Sequence, residues 1–339
     1  MRGERLVLRA GTVMIVGAIV LRLLSLGGGL VQILRSPETT AVMLFLGTGR
    51  IVHPQQTDPP QVPEETKPEE TEPPATASPA LQEPEKAVFS QQDAQLIELN
   101  NVSGYSVDIP ALLGQPREWG LVGPEPTVLI LHTHTSESYE KTEDYVEDTA
   151  YRTLDSRYNM VSVGDRLAEL LSRGGIRVLH DRSLHDYPSY NGSYSHARKT
   201  LQEYLQQYPS IRLVLDLHRD AISDGQGNQK GYTINVNGVP TAQLMLVMGT
   251  NWSGLEHPNW QENLTLAVQL QAQLERICPG ICRPLGLRAQ RFNQDVSPGA
   301  ILIEVGAAGN TRQEALASME PLAEGLLALA NGTAGYEDA

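Results

Sequence analysis

Three short stretches carry the residue types that hydrolytic chemistry needs: Leu131-His-Thr-His-Thr-Ser-Glu137, Asp216-Leu-His-Arg-Asp220 and Ile303-Glu-Val-Gly306. A catalytic zinc takes three protein ligands and leaves one position for water, and two His with one Glu is a ligand set of peptide-hydrolysing zinc enzymes. His134 and Glu137 lie three apart in a loop leaving a strand, close enough to grip one ion together. His218 leaves a different strand and supplies the third ligand. Zinc acidifies its water and polarises the scissile carbonyl, but a general base must still move the water's proton to the leaving amine. Glu304 suits that task. It stands in the otherwise apolar run Ala300-Ile-Leu-Ile-Glu-Val305, where a carboxylate without a partner is costly to bury. The plainer alternative is a Glu that pairs with Arg or caps a neighbouring helix.

His132 and His134 lie two apart on one side of an extended segment, so spacing leaves either open as the ligand. His134 is preferred because it makes the tight His-x-x-Glu unit; His132 is then a supporting or structural residue. Asp216 and Asp220 flank His218 and can orient a metal-bound imidazole through its free nitrogen. Arg219 can hold a substrate carboxylate or stabilise an oxyanion. An ordinary salt bridge accounts equally well for each of these three. The other histidines, His53, His180, His185, His196 and His257, occur singly in mostly polar surroundings and read as surface residues.

The elements that must position these groups alternate between strand and helix patterns from about Phe89 onward. Thr127–Thr133 is a largely apolar run that ends in the His-rich loop, and Ile211–Leu217 is a second that ends at His218. Between them, Val163, Leu167, Leu170 and Leu171 mark one face of a helix over Val161–Ser172, followed by a short strand at Ile176–His180 and a helix over Ser195–Tyr208. Tyr232–Asn237 and Gln243–Met248 read as strands, paired as a hairpin through Asn237-Gly238. Asn263–Ile277 reads as a helix, Ala300–Val305 as the last strand, and Thr311–Ala330 as a final helix kinked at Pro321. Such alternation implies an α/β fold: a mostly parallel sheet with helices on both faces. Sites in these sheets form at the carboxyl ends of strands, where all three stretches fall.

The chain's 339 residues leave room for one sizeable catalytic domain plus appendages. A net charge of −14 with no evident basic face argues against a nucleic-acid binder. Cys278 and Cys282 are the only cysteines, which excludes both a disulfide framework and a cysteine-rich zinc site. Their spacing leaves open a small local disulfide or two free thiols.

From Ala10 to Leu34 the only charge is Arg22, and Arg2, Arg5 and Arg9 precede that stretch. About 20 apolar residues cross a bilayer as a helix, with flanking Arg marking the cytoplasmic side. Arg22 must snorkel outward, or insertion costs on the order of 3 kcal/mol. Apolar character continues past Gly29, which favours an uncleaved anchor over a signal peptide cut near Ser25–Gly27. A shorter apolar patch, Ala41–Leu46, lies at the interface or packs locally. Residues 54–86 hold nine Pro and almost no large apolar side chains, so they cannot offset their ordering entropy and act as a semi-rigid tether. The expected organisation is therefore a cytoplasmic N-terminus, anchor and juxtamembrane segment at 1–53, a disordered linker at 54–86 and an extracytoplasmic zinc-enzyme domain at 87–339.

Taken together, Ile130-Leu-His-Thr-His-Thr-Ser-Glu-Ser-Tyr139, Asn159-Met-Val-Ser-Val-Gly-Asp165, Asp216-Leu-His-Arg-Asp220 and Ile303-Glu-Val-Gly306 with Asn310 resemble the stage II sporulation protein P family of endospore formers. The resemblance covers about Glu98 to Gly332, and the anchor and acidic stalk fit the family's layout. It implies a fold similar to zinc amidases and zinc carboxypeptidases. It also implies an N-acetylmuramoyl-L-alanine amidase, a peptidoglycan hydrolase that acts in forespore engulfment and is also credited with endopeptidase cuts at cross-links. The implied roles are Zn2+ ligands at His134, Glu137 and His218 and a catalytic Glu304, with His132, Arg219, Asp216, Asp220 and Asn310 supporting the site or touching substrate. The implied partners are peptidoglycan, the membrane, and the stage II sporulation proteins D and M. The unit His134-x-x-Glu137 matches the carboxypeptidase version of the pattern more closely than that of common cell-wall amidases. Two rivals share these residues: a zinc carboxypeptidase or deacylase of another substrate, and a catalytically silent wall-binding scaffold on a stalk.

Overall fold

A computed structural model describes residues 85–146, 148 and 150–336. The membrane anchor expected within residues 1–53, and the linker expected at 54–86 apart from Glu85 and Lys86, lie outside the described residues. Among the described residues no helix is long and apolar enough to cross a membrane.

In chain order the elements are β1 (Ala87–Phe89), β2 (Leu99–Asn101), α1 (Ile109–Leu113), β3 (Val128–Leu131), α2 (Met160–Arg173), β4 (Val178–His180), α3 (Ser193–Gln207) and β5 (Leu213–Asp220). They continue as β6 (Thr233–Val236), β7 (Val239–Ala242), β8 (Leu244–Met248), α4 (Trp260–Ile277), β9 (Leu285–Leu287), β10 (Ala300–Ala307), α5 (Arg312–Ala317), α6 (Met319–Ala328) and β11 (Thr333–Tyr336). The central sheet has seven strands in the order β2-β9-β8-β10-β5-β3-β4. Each neighbouring pair is parallel except β8 with β10. The mostly parallel α/β sheet is present, then, as two parallel blocks of opposite direction joined at one antiparallel seam. Parallel strands are buried on both faces, which is why β3 reads Val-Leu-Ile-Leu with all four residues buried.

Side chains alternate across a strand, and the two faces of this sheet differ. On one face Ile130, Leu215, Leu217, Leu246, Ile301 and Ile303 join a continuous core with residues of α2, α4, α5 and α6. On the other, Leu129, Leu131, Val214 and Ala300 lie under Ala197 and Leu201 of α3. That apolar cover reaches the early residues of β5 and β10, and the later residues on that face, Asp216, His218, Leu302 and Glu304, are left to form the site.

Local chemistry sets the ends. Asn159 caps α2 by accepting from Val161 N–H at 3.0 Å, and Gly174 with Gly175 stops it. Thr311 and Glu314 form a capping box on α5. Three expectations are corrected. Asn237 and Gly238 both take positive φ and do close a two-residue hairpin, but it joins β6 to β7, leaving β8 to enter the central sheet. The final helix is two helices, broken at Ser318 three residues before Pro321, whose missing N–H leaves the Ala317 carbonyl without its helical donor, and the Ser318 hydroxyl donates to Ala242 O at 2.6 Å. His180 is half-buried, and His185 and His257 are buried rather than exposed. His185 Nδ1 lies 2.9 Å from His132 O and its Nε2 3.2 Å from the Thr200 hydroxyl, partners that spacing does not reveal. The two thiols, Cys278 and Cys282, are free.

Gly164 sits in the interior of α2 where His132 and His180 approach: a Cβ there would lie 2.7 Å from His132 Nε2 and strike His180 Nε2. Both rings are held by hydrogen bonds and cannot swing away. Gly164→Ala is therefore expected to destabilise the fold by about 2 kcal/mol, despite the better helix propensity of Ala. Urea unfolding beside the wild type checks it, and an unchanged or raised midpoint would contradict the packing.

Candidate active site

The His-rich loop leaves β3 directly. Glu137 N–H donates to His134 O at 3.0 Å, a tight turn that brings His134 and Glu137 to the same spot. His218 and Glu304 are register partners on the adjacent parallel strands β5 and β10, about 5 Å apart across the ladder and on one face. β5 continues through Asp220, so His218 is presented from within a strand rather than from a loop after it.

The two imidazoles meet edge to face, with ring centroids 5.2 Å apart. His218 Nδ1 lies 3.6 Å from Glu137 Oε2, and its Nε2 lies 2.9 Å from Asp216 Oδ1, a close ionic contact off the angle of a good hydrogen bond. His134 Nε2 meets the Tyr190 hydroxyl at 3.2 Å, while its Nδ1 is buried without a partner. Tyr190 stacks on the His134 ring at 4.5 Å, and Arg152 covers Tyr190 in turn. Among the described residues, no three His, Cys, Asp or Glu side chains already close round a point as a finished metal cage. The donor set nevertheless suits a divalent cation: an orphaned buried Nδ1, a second Nδ1 facing a carboxylate, and the second carboxylate of Asp216 behind it.

The electrostatics agree with the donors. Burial alone would lower the pKa of His218, but Asp216 and Glu137 override it and raise it well above the ordinary value, so this point strongly favours positive charge. Burial would raise the Glu137 carboxyl, yet Arg219, His218 and His134 hold it at about 2. His134 is lowered to about 4, chiefly by burial, which keeps it neutral and able to donate a lone pair. Glu304 is half-buried, but its Oε2 is closed to solvent and has no hydrogen-bond partner. Burial, opposed by His218 and reinforced by Glu137 and Asp220, pushes its carboxyl up to about 8.

The other expected residues divide. Asp216 accepts from Thr133 N–H at 2.8 Å and from the Thr133 hydroxyl at 2.6 Å, tying the His-rich loop to β5 while it holds His218. Arg219 donates to Ser138 O at 3.0 Å and Tyr151 O at 2.9 Å and lies 3.6 Å from Glu137, which braces the loop carrying Glu137. His132 points elsewhere: its Nδ1 lies 3.1 Å from Leu217 O and its Nε2 2.9 Å from His180 Nε2. It is buried scaffolding beneath the loop. Asp220 pairs with Arg283 at 2.9 Å instead of orienting His218. Asn310 accepts from Tyr232 and Ala307 N–H, each at 2.9 Å, and so clamps the end of β10 to the segment entering β6.

A cleft of about 500 Å³ opens over these groups, and His134, Glu137, His218 and Glu304 all line it. Its floor continues over Leu302, Val247 and Met245, with Phe292 packed against them. Tyr190, Tyr194, Arg283 and Arg288 complete the walls and were not singled out from the sequence. For the tyrosines a signal existed, since Tyr187 and Tyr190 in the polar loop before α3 and Tyr194 in its first turn crowd one short stretch. The arginines gave none.

The buried oxygen of Glu304 has a thermodynamic consequence. The folded carboxyl keeps its proton to about 8, whereas the unfolded chain releases it near 4.5. Stability therefore falls as pH rises between those values and levels off above them. Glu304→Gln should leave stability unchanged at about pH 4 and raise it by on the order of 2 kcal/mol at about pH 8.5. Urea unfolding of the metal-free proteins at both pH values checks this; an equal difference at both would show that Glu304 ionises freely.

Solved structures of similar fold include the N-acetylmuramoyl-L-alanine amidase AmiC2 of Nostoc punctiforme, at 14% identity and TM-score 0.37 over 60% of this chain and 97% of that one. The CwlD amidase of Clostridioides difficile, solved in complex with the GerS lipoprotein, is similar at 13% identity and TM-score 0.38 over 60% and 95%. The N-acetylmuramyl-L-alanine amidase Ami1 of Mycobacterium smegmatis is similar at 12% identity and TM-score 0.35 over 62% and 95%. A comparison with curated proteins gave no match. A family model, by contrast, matches residues 44–327, most of the chain, and on that match the chain belongs to the stage II sporulation protein P (SpoIIP) family.

Proposed function

We propose that this chain is a zinc-dependent peptidoglycan hydrolase that cleaves the amide between the N-acetylmuramoyl lactyl group and L-alanine of the stem peptide. The observation that carries the reading is the convergence, on one open sheet face, of His134 Nδ1, His218 Nδ1, the Glu137 carboxylate and the unpartnered Glu304. Membership of the SpoIIP family supports the substrate class and the setting in sporulation.

His134 and His218, each through Nδ1, and Glu137 through its carboxylate are the groups to hold the ion. Bound there, zinc supplies Lewis acidity toward the scissile carbonyl and a lowered pKa for water. Glu304 receives the proton of the attacking water on its unpartnered oxygen and delivers it to the nitrogen of the departing stem peptide, which leaves as a neutral amine. Asp216 holds Nε2 of His218 and thereby turns Nδ1 toward the cleft. Tyr190 does the same for His134. Arg152 and Arg219 hold the Glu137 loop in place without reaching the cleaved bond.

The same reading sets this domain outside the cell membrane on an N-terminal anchor and a Pro/Glu-rich tether, at the engulfing septum. Stage II sporulation proteins D and M are its partners in that setting, and peptide cross-links are a second class of cut. What supports the anchor is the apolar stretch Ala10–Leu34 behind its basic flank.

The test is digestion of purified peptidoglycan by the full chain beside Glu304→Ala, with zinc measured on both. Free stem peptides and bare glycan strands are expected from the wild type, with about one zinc in each protein. Glu304→Ala should lose on the order of 10²–10⁴ in kcat. Zinc absent from the wild type and no amide cut would overturn the hydrolase reading. Asp216→Asn should bind zinc about 10–100-fold more weakly, as read by competition with a chelating dye, and an unchanged affinity would remove Asp216 from the site.

A further inference from the structure

The floor of the cleft does not end at the catalytic groups. Going outward from β10, Leu302 pairs with Val247 on β8, Val247 with Gly286 on β9, and Gly286 with Asn100 on β2. Gly286 leaves a gap on this face, and the Arg288 guanidinium fills it: a Cβ at Gly286 would lie 2.8 Å from Arg288 Nη2 and 2.9 Å from its Cζ. Arg288 Nη1 donates to Asn100 O at 2.9 Å, which fixes the plane of the group over the sheet. Among the described residues no carboxylate pairs with Arg288, whereas Arg283 nearby is matched by Asp220 at 2.9 Å. Arg219 is spent on Glu137 and on backbone carbonyls. Arg288 is thus the unbalanced positive charge on the cleft wall.

We infer that Arg288, laid flat over Gly286, is the subsite that binds a free carboxylate of the stem peptide. The inference rests on the hydrolase reading above and adds to it the feature of the substrate that is read. Geometry sets the spacing. Gly286 lies two strand positions beyond Leu302, about 10 Å across the sheet, with an apolar strip of Leu302, Val247 and Met245 between Arg288 and Glu304. An extended peptide advances about 3.4 Å per residue, so a chain leaving the cleaved amide along this floor brings its second or third residue to Arg288. A planar guanidinium with one edge pinned keeps its other edge for a carboxylate, which it can meet with two parallel hydrogen bonds. The apolar strip gives the intervening backbone nothing to pair with, so the charge at the far end sets the register.

The experiment uses the full chain and two muramoyl tripeptides, one with free carboxylates on its second and third residues and one with carboxamides there. The wild type should cleave the free acid with at least about tenfold higher kcat/KM, the difference lying in KM. Arg288→Gln should bring that ratio close to one by raising KM for the acid, and an unaltered far-UV circular dichroism spectrum and urea midpoint show the variant to be folded. Arg288→Lys should keep part of the preference as a point charge without the fork, and Gly286→Ala should lose it by displacing the guanidinium. A wild type that cleaves both substrates equally, or an Arg288→Gln that keeps the full preference, overturns the subsite while the hydrolase reading stands. A wild type that cleaves neither sinks the hydrolase reading, and the subsite with it.

Discussion

Two carboxylates, Glu137 and Asp216, are buried on either side of His218, and the surrounding structure is arranged so that both remain ionised. An ionised carboxylate taken out of water without partners costs several kcal/mol. Each is therefore over-supplied with partners. Asp216 takes two hydrogen bonds from Thr133 and the charge of His218; Glu137 faces His218, Arg219 and Arg152. These contacts also do the assembly. Because the partners come from the β3 loop, from β5 and from the loop carrying Arg152, neutralising the two charges draws those segments to one point. The place where they meet is the place where a cation is most favoured.

The cleft follows from how the sheet is covered. Helix α3 shields the early residues of β5 and β10, so the later ones on the same face stay accessible. The antiparallel seam between β10 and β8 then carries the floor sideways. β8, β9 and β2 run opposite to the block that holds His218 and Glu304, yet their side chains on this face extend the same surface. A block carrying the clustered His and Glu side chains and an adjoining apolar and cationic floor are thus joined on one sheet. An all-parallel sheet needs a crossover at each strand; here the reversal at β8 brings the extension in directly after a short hairpin.

Much of this was legible in the chain because burial writes itself into strands. β3, β5 and β10 read as apolar runs, and polar residues that interrupt or follow such runs are conspicuous: His134, Glu137, His218 and Glu304 were singled out this way, and they line one cleft. What stayed hidden depends on registry between distant segments. His132 and His134 are indistinguishable by spacing, and only the approach of His180 across from β4 shows which ring is scaffolding. Whether Arg219 serves a substrate or an ordinary salt bridge was equally open in the sequence, because the carbonyls of Ser138 and Tyr151 that occupy it lie far away in the chain. Leu285–Leu287 is three residues long and carries a Gly, too little pattern to read as a strand, so the setting of Arg288 could not be anticipated. The anchor and tether expected from the sequence lie outside the described residues.

The environments of the two glutamates differ in the way the proposed roles require. One fold holds Glu137 at about 2 and Glu304 at about 8, although both face the same histidine. The difference is in the company each keeps. Glu137 has two arginines within 3.6 Å, whereas Glu304 lies in an apolar strand with one oxygen unpaired. A carboxylate so firmly ionised is a poor proton acceptor and a good ligand; one held near neutral pH by burial can both take a proton and give it back. A dication held by His134, Glu137 and His218 would add positive charge beside Glu304 and bring its pKa down toward the range where the base form prevails. Pairing Glu304 with an arginine would lower the pKa as well, but it would occupy the very oxygen that has to accept the proton. Leaving it unpaired costs stability, and the reaction proposed for this site gives that cost a reason.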